Sequence, residues 1–67
     1  MYTAADLARA EAHVDTATRR VEEQRERIAR LASDGHDTRE AEALLQTMAN
    51  LLDEMKRYRQ MIGADVE

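Results

Sequence analysis

Leu7, Ala10, Val14, Ala17, Val21, Gln24, Ile28 and Leu31 follow one another at steps of 3 and 4 without a slip. Only a helix places residues so spaced on one face, and the strict alternation is a heptad seam, the pattern by which one helix packs along another. With Leu7 at position a, the g positions carry His13, Arg20 and Arg27 and the e positions Glu11, Thr18 and Arg25. The apolar stripe is therefore narrow and its flanks are wet. A second seam runs through Ala41, Leu44, Met48, Leu51, Met55, Tyr58 and Ile62. Here Leu45 and Leu52 at e positions and Met61 at a g position widen the stripe to about 100°, the breadth of a helix with more than one neighbour.

The stretch between the seams, SDGHDT, reads as a fold-back. Gly35 lacks the Cβ that makes left-handed backbone costly, so it is placed to end the first helix. Asp37 is then expected to cap the second helix, with Glu40 three residues on completing a capping box and Thr38 as the competing cap. Thr3 is the expected cap of the first helix, with Tyr2 and Leu7 at the spacing of a hydrophobic staple. Gly63 is expected to close the second helix. The reading is one domain over residues 1–67: helix 3–33, turn 34–37, helix 37–62 and a frayed tail 63–67. So short a connection forces the helices antiparallel.

In an antiparallel pair, facing residues have a constant index sum. Leu31 with Ala41, Ile28 with Leu44, Gln24 with Met48, Val21 with Leu51, Ala17 with Met55, Val14 with Tyr58 and Ala10 with Ile62 all sum to 72. Small residues then repeatedly face large ones, as close packing requires.

A chain of 67 residues with no cysteine has neither the size for a self-sufficient core nor a disulfide to replace one. Self-association is the expected remedy. The predicted fold class is all-α: an antiparallel, coiled-coil-type hairpin that assembles as a homodimeric four-helix bundle. Leu45, Met48, Leu52 and Met55 are the predicted dimer interface, because Leu45 and Leu52 fall outside the seam that faces helix 1. A complex with an unidentified protein that supplies the missing helices is the competing assembly.

Little in the chain suggests catalysis. Neither His13 nor His36 has a cysteine for a partner, and the sole serine, Ser33, sits at a helix end. No Glu-x-x-His motif of the di-iron bundles occurs, and Asp34, His36 and Asp37 read more simply as a polar turn. No enzyme activity, metal or cofactor is expected. Gln24 is a polar residue on the seam, either a register-fixing group or an amide that reaches the bundle edge. The methionines of the second segment read as bundle core rather than as an adaptable groove.

Arg19, Arg20, Arg25, Arg27 and Arg30, with Lys56, Arg57 and Arg59, could face RNA or phosphate. They are interleaved with Asp15, Glu22, Glu23, Glu26, Asp53 and Glu54, and the net charge of -4 argues against nucleic acid and anionic membrane as partners. Residues 1–15 have neither a basic start nor an apolar core, so no secretory signal is expected, and no long apolar run suggests a membrane segment. A cytoplasmic location is the default expectation.

The spelling DGHDT, with ARLASDG before it and AEALLQTMANLLDEMKRYRQMI after it, resembles a group of short uncharacterised helical-hairpin proteins of alpha-proteobacteria. The residues that match are Arg27, Ile28, Ala29, Arg30, Leu31, Asp34, Gly35, His36, Asp37, Thr38, Ala41, Leu44 and Leu45. The group has no assigned activity, so the resemblance implies the hairpin and nothing of its chemistry. By architecture the chain also looks like the small RNA-binding repressor-of-primer bundle, a likeness of fold that transfers no function. The functional expectation is a non-enzymatic oligomerisation or protein-interaction module. The alternative is a nucleic-acid-associated regulator that uses the arginine-rich faces.

Overall fold

The computed structural model describes residues 1–66, and among them two helices and no strand occur. Helix α1 spans Ala4–Ser33 and helix α2 spans Arg39–Asp65, packed side by side as an antiparallel hairpin. The molecule is a rod of 52 × 14 × 11 Å.

Each helix end has a local cause. Thr3 takes extended backbone angles and its hydroxyl accepts the Asp6 N–H at 3.2 Å. The Asp6 carboxylate in return accepts the Thr3 N–H at 2.8 Å, which completes a capping box. Arg9, one turn on, pairs with the same carboxylate. At the other end, Gly35 has φ of +77°. The His36 N–H reaches the Leu31 carbonyl at 2.9 Å and the Gly35 N–H reaches Ala32 at 3.1 Å, the two bonds of a Schellman stop.

Helix α2 begins and ends differently from the sequence expectation. Its N-cap is Thr38, whose side chain makes no capping bond, and Glu40 closes no capping box. Asp37 still serves the helix start from one residue outside: its carboxylate accepts the Arg39 N–H at 2.9 Å and grips the Arg39 guanidinium at 2.7 and 3.0 Å. A partner on the first helical residue leaves that carboxylate no reason to reach deeper into the first turn. Gly63 does not close α2, which continues to Asp65, and the Val66 N–H bonds back to Ile62 at 3.0 Å. Residues 63–65 of the expected tail are thus helical, and Glu67 lies outside the described residues.

The register also differs. Gln24 donates from Nε2 to the Ala41 carbonyl at 2.9 Å, where the index-sum pairing set it against Met48. Val14, Val21 and Leu52 form the buried cluster, with Ala17, Leu45 and Met48 packed against it. Leu52 is 7% exposed, whereas Leu51 is 52% and Leu44 49% exposed. The seam that α2 turns toward α1 is therefore Ala41, Leu45, Met48, Leu52 and Ile62, not the predicted line through Leu44, Leu51 and Tyr58. Periodicity permits both seams, since Ala41, Met48 and Ile62 belong to each. The rotation of α2 about its own axis therefore decides which half of its wide stripe α1 covers.

Candidate interaction surface

Rotating α2 in this way leaves one long face of the hairpin open. Leu44, Leu51, Met55 and Tyr58 stand half-exposed along it. Between them and α1 runs a shallow groove, whose central part, about 410 Å³, is lined by Ala17 and Arg20 of α1 and by Met48, Leu51 and Met55 of α2. Toward the chain termini the groove continues past Ala10, His13, Glu54 and Tyr58. Toward the turn it continues past Gln24, Arg27, Glu40 and Leu44. The sequence placed the open contact on Leu45 and Leu52. Those two leucines fill the intramolecular core instead, while Met48 is shared between core and groove and Met55 stays at the groove wall.

The two walls differ in character. On α1, His13, Arg20 and Arg27 repeat at heptad spacing, all exposed, above a floor of small residues, Ala10 and Ala17. On α2 the wall is Leu44, Leu51 and Tyr58, with Glu40 and Glu54 exposed outside it. Helix 1 offers small and basic side chains and helix 2 offers large apolar and acidic ones.

Gln24 is 7% exposed, and its amide is satisfied by the α2 backbone. Of its two sequence readings, the structure supports a specific tie: the bond joins the last third of α1 to the first turn of α2. At the terminal end, Tyr2 meets Tyr58 edge-on with ring centroids 6.1 Å apart, and the Tyr2 N–H points to Asp65 at 3.4 Å. Tyr58, then burial, Asp65 and Asp6 raise the Tyr2 phenol above its usual value. Leu7 lies over Gly63, its Cδ1 3.7 Å from where a Cβ would stand. Tyr2 and Leu7, expected as a local staple, are thus each engaged with α2.

Two carboxylates are perturbed, both in caps. Hydrogen bonds from the Thr3 backbone and hydroxyl, with Arg9 adding its charge, hold Asp6 below its ordinary value. The Arg39 side chain and N–H do the same for Asp37. Sequence reasoning missed Asp6, although Thr-x-x-Asp ahead of a heptad seam is a legible variant of the capping box. It also missed the Leu7 contact on Gly63, which leaves no local signal. Among the described residues no three His, Asp or Glu side chains gather where a metal could sit, and no helix is long and apolar enough to cross a membrane.

Fold and surface together define a two-helix hairpin with one uncovered amphipathic face. No family model, curated protein or solved structure matches the chain.

Proposed function

We propose that the chain is a small non-enzymatic cytoplasmic oligomerisation module that pairs through its open face into a homodimeric four-helix bundle. The observation that carries this reading is the uncovered line of Leu44, Leu51, Met55 and Tyr58 along a single face. Its extent fits a partner of similar size. A compact monomer of 7.7 kDa exposes about 4,300 Å² by the usual scaling with mass, whereas this hairpin exposes 5145 Å². The excess of about 800 Å² reflects the extended rod, and an interface of standard size, about 800 Å² per partner, would offset it. A second hairpin presents a matching length of helix and meets its own face through a twofold axis, the commonest arrangement of small homo-oligomers.

Sedimentation equilibrium tests the reading. The wild-type chain is expected at twice the mass of one chain, and Leu44→Glu with Leu51→Glu is expected at the monomer mass, because each carboxylate would be buried unpaired in the contact. Ala43→Glu with Asn50→Glu, on exposed positions about 100° around α2 from Leu44 and Leu51, should leave the dimer intact. A wild-type monomer with full helicity overturns the proposal. If the monomer instead bound RNA with a steep loss of affinity on adding salt, the arginine-face reading would replace it.

A further inference from the structure

Resting on the dimer just proposed, we infer that the second copy docks with its turn at the same end as the first, so that α1 of each chain lies over α2 of the other. Two hairpins can close face to face in two ways. With the twofold axis along the helices, α1 covers the partner's α2 and every level along the rod is preserved. With the axis across them, α1 covers α1, α2 covers α2, and the turns lie at opposite ends.

The two walls of the groove discriminate between these arrangements. Levels are read from the groove itself: Arg27 shares its stretch with Glu40, and His13 shares its stretch with Glu54. When levels are preserved, Arg27 faces Glu40 of the second copy and His13 faces Glu54, so that opposite charges meet along both edges of the contact. In the other arrangement the basic row His13, Arg20, Arg27 faces its own copy, and Glu40 and Glu54 face theirs, so that like meets like throughout. Side-chain size favours the same choice. The shallow floor over Ala10 and Ala17 receives Leu51 and Tyr58 of the second copy, whereas the crossed arrangement sets large against large on one side and small against small on the other. Exposed charges contribute little to affinity but choose between otherwise similar packings, as flanking heptad charges do in coiled coils.

The experiment is a distance measurement between spin labels on the dimer of His36→Cys, a substitution at an exposed turn position in a chain with no other cysteine. Turns at the same end place the labels within about 20 Å, the width of two helix layers. A dimer with labels separated by nearly the 52 Å length of the rod overturns the orientation and leaves the dimer standing. A monomer overturns both. Arg27→Glu supplies an independent reading without a label: it should weaken dimerisation about two- to thirtyfold, from two exposed pairs lost per dimer. In the crossed arrangement it would relieve repulsion against the basic row, so unchanged or tighter association overturns the inference.

Discussion

The same substitution, glycine to alanine, should change stability in opposite directions at the chain's two glycines. Gly35 has φ of +77°, and nothing lies within 4 Å of the place where its Cβ would stand. The whole cost of Gly35→Ala is therefore the left-handed backbone, about 1 kcal/mol, because no neighbour clashes and none is gained. Gly63 sits inside α2 with helical neighbours on both sides. There alanine removes a helix-propensity penalty of about 0.5–1 kcal/mol, the lower end applying this close to the helix terminus. Its methyl would meet the Leu7 Cδ1 at 3.7 Å, an ordinary van der Waals contact, so no steric cost offsets the gain. For a domain of this size 1 kcal/mol moves the melting temperature by about 4–8 °C. Thermal melts followed by circular dichroism at one fixed protein concentration should thus show Gly35→Ala several degrees below wild type and Gly63→Ala a few degrees above it. The fixed concentration matters because association makes the midpoint concentration-dependent. A lowered midpoint for Gly63→Ala would mean that α2 ends at residue 63 after all, and a neutral Gly35→Ala would refute the Schellman stop.

The remaining predictions concern single interactions. Gln24→Glu would set a carboxylate against the Ala41 carbonyl in a buried site, so only its protonated form could donate and its folded pKa would be raised. The variant should be most stable below about pH 4.3 and lose stability as pH rises through the folded value, a trend visible in urea melts; a flat profile would show that the side chain escapes to water. Thr3→Ala should cost about 1 kcal/mol through the lost cap. Because Asp6 is lowered in the folded chain, its contribution is present above the unfolded value near 3.8 and disappears as pH falls through the folded value. Acid titration should therefore fray the N-terminus of wild type and not that of Asp6→Asn, as read by amide exchange over the first turn. Leu52→Ala should cost about 2–5 kcal/mol by opening a cavity between Val14 and Val21, and helicity should fall steeply in the melt. A change no larger than that of a surface substitution would refute the seam described above.

The helices themselves, the stop at Gly35 and the cap at Thr3 were legible from the sequence alone, because each rests on interactions within one or two turns. Heptad spacing needs no distant partner to be visible, and a glycine after a helical run marks left-handed backbone by its own chemistry. The caps of α2 were less legible: Asp37 competes between its neighbour Arg39 and the helix start, and only the folded geometry resolves that competition. Tertiary structure alone decided which edge of the stripe on α2 lies inside. Leu44 and Leu51 differ from Leu45 and Leu52 in position and not in chemistry, so either pair satisfies the periodicity and the hydrophobic effect equally well. The choice depends on the rotation of α2 about its axis. That angle is set jointly by the left-handed turn at Gly35, the bond from Gln24 to Ala41 and the packing of Leu7 over Gly63. The last two ties join residues far apart in the chain, and a pattern that repeats every seven residues carries no record of them.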